Sequence, residues 1–565
     1  MLKGAFTVGM WTMASRILGF ARDILIAAIL GTGPIADAFF VALRLPNLFR
    51  RLFGEGAFNA AFVPSISAIL HTEGLPAATG FAEEATAVMV FWLGTLTILG
   101  EIFMPWVLYV LAPGFSGNAG KFALAVSLTR IMFPYLFFVC LTALFSGVLN
   151  AMGRFAAAAA APLLFNVFSI AFMLGLTPYL PNPGYALAWG VTVSGVAQLL
   201  LLIFAMRRAG MRMTLPRPRL TPRMRGLFKR MAPGLVGAGV TQLNVSIDII
   251  IGTLLPAGSV SILYYADRVN QLPLGVIGTA AGTALLPVVA RQIALGEDSA
   301  ALSTLNRALE SVLMLTLPAA IGLSVAAVPV MDVLFVRGAF TTHTALLAGR
   351  SLAAFAIGLP MFALVKVLTP GFFARGDTVT PLKIGVAAVV LNLCMNLVFM
   401  HPLKAVGPAL ATSLASAFNA VVLAVILHRR GHFALDAGAK RRVPRILLAG
   451  GLMAAAIWGA EFLLPPGKTN IFGFLVLTLV GGVAYGGGGI LLGAFDLSEL
   501  KGLLRRRRAK PVSVPASVIG NAVRGSCLHC DHPIGYHHLD GDKCTSKDCQ
   551  CPGYEDASEI CKISD

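Results

Sequence analysis

Residues 15–64, SRILGFARDILIAAILGTGPIADAFFVALRLPNLFRRLFGEGAFNAAFVP, read as two long apolar helices joined by a short turn at GTGP. They nevertheless carry Arg16, Arg22, Asp23, Asp37, Arg44, Arg50, Arg51 and Glu55. An ionisable group at membrane depth costs about 2.5–3.5 kcal/mol on insertion scales, so such groups face a polar interior and mark a path for charged cargo. The reading of this stretch as membrane-embedded but basic sets the question for the rest of the chain: which anion does the interior hold?

The surrounding sequence makes the membrane assignment. Of 565 residues, 57% are hydrophobic and 12% charged, with mean hydropathy +0.80; a soluble domain is about one-quarter charged. Apolar runs long enough to span, roughly 20 residues, recur almost from end to end. Backbone groups in lipid must be satisfied internally, so these runs are helices, and the alternation of a barrel is absent. The predicted fold is an all-α polytopic membrane protein of about fourteen transmembrane helices. The first span is too long for a cleavable signal peptide and is expected to remain as helix one. The net charge of +18 sits mainly in loops, which points to membrane topology rather than nucleic acid.

Lysine and arginine set the orientation. RRAGMRMTLPRPRLTPRMRGLFKR (207–230) holds nine basic residues and no acid. Further basic clusters at 429–445 and at KGLLRRRRAK (501–510) also follow even-numbered spans. The positive-inside rule then places both termini in the cytoplasm. An internal repeat is visible as well. IADAFFVALRLPNLF pairs with YADRVNQLPLGVIG, LAPGFSGNAGKFAL with FVRGAFTTHTALLAG, and SGVLNAMGRFAAAAAAP with PGFFARGDTVTP. A repeat every six spans preserves membrane sense, giving two parallel six-helix lobes around a central cavity, with two helices added. The expected organisation is an N-terminal lobe over 1–207, a basic linker over 208–228, a C-terminal lobe over 229–428, an added pair within 429–500, a basic segment and linker over 501–526, and a Cys/His-rich module over 527–565.

Arg16 and Asp23 are seven apart and share a helix face, whereas Arg22 is read as pointing elsewhere. Asp37, Arg44 and Arg51 repeat the spacing, so a continuous second span would align them in a stripe, with Glu55 one turn on; Pro46, Gly54 and Gly56 argue for bends. The second lobe adds Asp267 and Arg268. The acids have a plain alternative role, bracing the bundle, but the excess of arginine calls for an anion, and guanidinium suits phosphate through paired donors. Asn47 is a donor to sugar or phosphate, or else caps a bend. A second polar group, Asp248 with Asn392, Asn396 and Thr412, offers oxygen ligands for a monovalent cation, with interhelical hydrogen bonding as its alternative. Nothing resembles a nucleotide-binding loop, so direct use of ATP is not expected.

Four stretches, SRILGFARD, ADAFFVALRLPNLFRRLFGEGAFNAAFVP, YYADRVNQLPLGVIGTAAGTALLP and LTPGFFARGDTVTPLKI, closely resemble the MurJ (MviN) family of lipid II flippases, within the multidrug/oligosaccharidyl-lipid/polysaccharide exporter superfamily. The resemblance spans roughly residues 1–500. It implies alternating access that carries lipid II, a polyprenyl pyrophosphate bearing a disaccharide and a peptide, from the cytoplasmic to the outer leaflet of a bacterial inner membrane. It implies essential arginines at Arg16, Arg22, Arg50 and Arg268, functional carboxylates at Asp37 and Glu55, and a groove for the polyprenyl tail at 444–495. No cofactor is required and a monomer is expected. The competing readings are an exporter of another lipid-linked oligosaccharide, a multidrug exporter, whose cavity should be acidic and aromatic, and a membrane glycosyltransferase or polymerase, which should carry a catalytic carboxylate on a large external loop.

After residue 510 the composition changes. Cys527, Cys530, Cys544 and Cys549, in CLHCDHPIGYHHLDGDKCTSKDCQC, form two close pairs with the spacing of a structural zinc knuckle. The resemblance does not reach this tail, and its partner is not legible.

Overall fold

The computed structural model describes residues 2–51, 57–463 and 471–495. Glu55 and the tail, with Cys527, Cys530, Cys544 and Cys549, lie outside the described residues. All regular structure among the described residues is helical. In chain order the helices are α1 (Leu2–Leu30), α2 (Pro34–Phe49), α3 (Ala57–Thr72), α4 (Gly74–Leu111), α5 (Ala119–Met132), α6 (Tyr135–Ala151), α7 (Phe155–Leu176), α8 (Pro183–Arg208), α9 (Pro222–Leu254), α10 (Ser259–Ala294), α11 (Asp298–Val325), α12 (Ala327–Phe335), α13 (Thr342–Ile357), α14 (Leu359–Phe373), α15 (Val379–Leu403), α16 (Val406–Arg429), α17 (Ala437–Leu463) and α18 (Ile471–Leu491). Residues up to Ala494 cohere as one unit.

Ten helices or end-to-end helix pairs among the described residues are long and apolar enough to cross a membrane. The remaining long elements are α1, α2–α3, α9 and α10, which carry the charge clusters of the sequence. Three runs that read as single spans are broken. At α5/α6, Phe133–Pro134 interrupts, and Phe133 wedges its ring against Gly100 of α4, where no side chain would fit. Proline removes an N–H and clashes with the preceding turn, so the helix restarts there. The breaks at α11/α12 and α13/α14 fall at Ala326 and at Gly358, which lies tight against Ser413. The segment predicted as a linker up to residue 228 is helical from Pro222: Thr221 caps α9 by accepting from the Met224 N–H, with proline at the first helical position, a strong start signal.

α1–α8 pack chiefly among themselves, as do α10–α16, while α9 packs against both sets. One core gathers Phe58, Phe62, Phe81, Leu144 and Leu202 with Met224, Leu227 and Met231, so the first turns of α9 belong to the first lobe's packing. The other gathers Leu285, Leu305, Val367, Phe372 and Leu427. The added pair α17–α18 packs on α11. Gly450 lies against Leu317 and Ile321, Gly481 lies against Ile457, and the Tyr485 hydroxyl donates to the Met314 carbonyl at 2.8 Å. Small residues let helix backbones approach where no hydrophobic drive exists. Large apolar side chains such as Trp106, Trp458, Phe462 and Leu491 stay outward, as lipid contact requires.

The lobes meet at the end where α1 stops and α2 starts. Here the sequence repeat acquires a physical meaning. The turn Pro113–Phe115 of the first lobe places Gly114 against the carbonyl of Thr253 at the end of α9, while the matching turn of the second lobe places Gly338 against the carbonyl of Ala28 near the end of α1. A Cβ would stand 2.0 Å from the first oxygen and 2.2 Å from the second, so only glycine permits either approach. The Ala339 N–H donates to Ala28 O at 2.8 Å, the Tyr265 hydroxyl to Gly31 O at 3.2 Å, and the hydroxyls of Thr32 and Thr344 are 3.2 Å apart. Phe335 and Phe340 surround Tyr265.

Candidate cargo site and cation site

SRILGFARD lays its polar residues along α1 so that each meets another helix. The Asn166 amide of α7 donates to Ser15 O at 3.0 Å. Arg16 lies over α10 at Gly275, where an added Cβ would stand 3.2 Å from Nη1. The Arg268 guanidinium lies beside Gly19, with Nη2 3.7 Å from the position a Cβ would take. Asp23 is completely buried. It accepts from Arg22 Nε at 3.2 Å and Nη2 at 2.7 Å, from Arg268 Nε across the lobes, and from the Tyr264 hydroxyl at 3.5 Å. Arg22 therefore folds back onto its neighbour instead of pointing elsewhere, because burial leaves its charge no better partner. Its other side covers the Phe165 ring at 4.9 Å, a cation–π contact. Tyr264 stacks on Phe40 at 3.9 Å. Two guanidinia, one from each lobe, thus meet one buried carboxylate at the junction of α1 and α10, and Arg16 lies further along α1 against α10 and exposed.

Asp37 does not join them. It is buried at the lobe junction, where it accepts from Lys121 Nζ at 2.9 Å, Gly258 N–H at 2.7 Å, and Ser261 N–H and Oγ each at 2.9 Å. The last three donors belong to the first turn of α10, so Asp37 caps that helix from the other lobe, where the helix dipole favours an anion. Along the same stretch, Arg44 and Arg51 lie in electrostatic range of each other and of Asp267, while Asp37 turns to the lobe junction. α2 ends at Phe49, and Arg44 meets Gln242 of α9 with Nη2 at 3.4 Å from Oε1. Arg44 also lies in electrostatic range of Asp248. Asn47 Oδ1 accepts from Arg50 Nε at 3.2 Å and orients that guanidinium. Asp267 accepts from Gln271 and lies in range of Arg44, Arg51 and Arg268. Tyr264, Asn166, Lys121 and Ser261 escape a sequence reading because each acts through a partner in another helix. Only Tyr264, beside Asp267–Arg268 in YYADR, carried a positional hint.

The second polar group comes together as the sequence predicts. Asn392 Nδ2 and Asn396 Nδ2 donate to Asp248 Oδ1 at 2.9 and 3.2 Å, and Thr412 Oγ1 donates to Oδ2 at 2.9 Å. Asn244 extends the group through Asn392 at 2.9 Å. Asn392 and Asn396 have no exposure, and Asn396 Oδ1 is buried without a hydrogen-bond partner. In this arrangement amide N–H and hydroxyl groups face the carboxylate, which is interhelical hydrogen bonding, and one amide oxygen is left over beside it.

An all-helical two-lobed membrane protein with a basic interior and opposed lobes sealed at one end belongs to the class of alternating-access carriers. Its helices superpose on a lipid II flippase MurJ structure in an inward closed conformation (TM-score 0.71, 24% identity, covering 86% of this chain and 98% of that one). They also superpose on an inward-facing multidrug transporter of the MATE family (TM-score 0.62, 16% identity, 75% and 98% covered); these two likenesses concern the fold. Residues 26–480 match the family model described as lipid II flippase MurJ. The chain is 40% identical over 538 residues to the probable lipid II flippase MurJ of Rhizobium tropici, covering 92% of this chain and 99% of that protein. It is 35% identical over 435 residues to the lipid II flippase MurJ of Burkholderia cenocepacia, with 76% and 84% covered. The chain belongs to the MurJ lipid II flippase family.

Proposed function

We propose that this chain is a multi-pass protein of the bacterial inner membrane that carries lipid II from the cytoplasmic to the outer leaflet by alternating access. It is a transporter and performs no covalent chemistry. The observation that carries the reading is the pair Arg22 and Arg268, one from each lobe, on the single buried carboxylate Asp23, with Arg16 on the same helix facing α10. A surplus of guanidinium in a low-dielectric interior favours a multiply charged anion, and paired N–H donors match phosphate oxygens. Asp23 holds Arg22 and Arg268 in position while no cargo is bound. Because Arg22 comes from one lobe and Arg268 from the other, an anion drawing on both senses the distance between the lobes. Lysine and arginine density puts the linker end in the cytoplasm. The latch around Asp37, Gly114 and Gly338 then closes the outer side, and cargo enters from the cytoplasmic side. α17–α18 lie beside α11 with apolar faces toward lipid, suited to a polyprenyl tail that never leaves hydrocarbon. An arginine-rich interior is opposite in sign to what a drug-cation exporter needs, and the connections at the sealed end are too short for the external catalytic domain of a polymerase.

Asp248, Asn392, Asn396 and Thr412 would hold a monovalent cation and supply ion coupling. Cargo arginines and cation site then lie on different helices of the moving lobes, so each can bias the same rocking motion.

The test is replacement of the resident lipid II flippase in depleted cells by this chain. Full growth and outward lipid II movement are expected with the unmutated chain, and loss of both with Arg22→Ala or Arg268→Ala at equal membrane abundance. A chain that reaches the membrane and moves no lipid II would sink the reading. Replacing Na⁺ by choline in reconstituted vesicles separates ion coupling from the cargo assignment.

A further inference from the structure

Arg44 stands apart from the other buried cations among the described residues. It lies in the middle of α2 and is nine-tenths buried. Arg22 and Arg268 each have a carboxylate, and Lys121 has Asp37. Arg44 has only a long hydrogen bond to a neutral amide, Gln242 Oε1 at 3.4 Å. Its Nε is buried with no hydrogen-bond partner among the described residues. Asp267 and Asp248 lie in electrostatic range but outside ion-pair distance. A guanidinium presents five donors in a planar fork and stays charged. Left desolvated with its fork largely unfilled, it is a group waiting for an oxyanion, since a buried charge is stable only when paired and hydrogen-bonded. Its contact to Gln242 also crosses between lobes, from α2 to α9.

We propose that Arg44 is a further cargo-binding arginine, which exchanges Gln242 for an oxyanion of the cargo when the cargo enters. The inference rests on the lipid II reading and deepens it. In the cargo-free state Gln242 parks the guanidinium with a weak neutral acceptor. An arriving phosphate or carboxylate oxygen takes both edges of the fork and releases the α2–α9 contact. Cargo binding and lobe movement thereby act on one hydrogen bond. The shared ligand chemistry is an oxyanion, which the cargo carries both in its pyrophosphate and in its peptide carboxylates.

The experiment measures equilibrium binding of lipid II, and of polyprenyl pyrophosphate lacking sugar and peptide, to the full chain in lipid nanodiscs. Arg44→Gln should weaken lipid II binding at least about tenfold, the scale of one lost charge-assisted hydrogen bond, with Arg44→Lys in between. Gln242→Ala should bind as well as the unmutated chain or better, because it removes a competitor and not a ligand. Equal weakening of both lipids by Arg44→Gln assigns the oxyanion to the pyrophosphate; weakening of lipid II alone assigns it to the peptide. If Gln242→Ala weakens binding as much as Arg44→Gln, the pair is a brace between lobes and the inference is overturned. It is overturned equally if Arg44→Gln binds both lipids normally while Arg22→Ala does not. Failure of the unmutated chain to bind lipid II would refute the lipid II reading itself.

Discussion

Asp37 and Asp23 are both buried, both multiply hydrogen-bonded, and both bridge the two lobes, yet they hold different kinds of partner. Asp37 holds backbone N–H groups and a hydroxyl of the first turn of α10, plus one lysine. The backbone donors among them are fixed by the fold and have nowhere else to turn. Asp23 holds two arginine side chains and a tyrosine hydroxyl. Those donors are long, rotatable and exchangeable for another anion. Under the proposed function, the first arrangement acts as a latch and the second as a site for cargo. Residue type alone does not separate them; the mobility of the donors does.

The comparison can be tested at each site, starting with the latch. Because the hydroxyls of Thr32 and Thr344 are 3.2 Å apart, a Thr32→Cys/Thr344→Cys pair is close enough for a disulfide. Oxidation should abolish lipid II transport completely and reductant should restore it. Transport that survives full cross-linking, scored by gel shift, would mean this end does not need to open.

A smaller effect separates the two carboxylates directly. Asp37→Asn removes the charge that pairs with Lys121 and caps α10, and should destabilise the sealed state by about 1–3 kcal/mol. Thiol labelling of a single cysteine placed at Thr344 should then rise several-fold while lipid II affinity stays unchanged. Asp23→Asn should do the opposite: the labelling rate holds, and lipid II binds more tightly, since the arginines lose their internal competitor. Identical behaviour of the two variants would erase the distinction between latch and site.

The smallest effect lies at the surface of the second lobe. Asp377 precedes α15, where the Thr380 hydroxyl and N–H and the Arg430 guanidinium, at 2.6 Å, hold its carboxyl well below the usual carboxylate range. A depressed folded-state value means the contribution is complete above the unfolded value, near about 3.9, and fades as pH falls through the folded one. The difference in thermal unfolding between the unmutated chain and Asp377→Asn should therefore be small and constant from about pH 5 to 8, and should shrink only below about pH 4. A difference that varies between pH 5 and 8 would point to another titrating group.

The repeat shows how far sequence carries. LAPGFSG and FVRGAF can be matched on paper, but that match does not say why glycine recurs. In the fold, Gly114 and Gly338 each admit a backbone carbonyl from the opposite lobe, a close approach that only the missing Cβ allows. The group around Asp248 was legible because Asn392 and Asn396 are one turn apart on one helix and a lone acid in a span needs partners. The lodging of Arg268 on Asp23 was not, because the two residues are 245 positions apart and meet only where helices of different lobes come together.

Composition and periodicity by themselves determined that this chain is a bundle of membrane helices with a basic interior, since hydrophobic runs and charge density are local properties that lipid and water sort without reference to topology. Only the tertiary structure decided which charges meet fixed partners and which meet exchangeable ones. That depends on the partner each side chain meets across the lobe boundary: fixed backbone donors for Asp37, exchangeable guanidinia for Asp23, and an unfilled fork at Arg44.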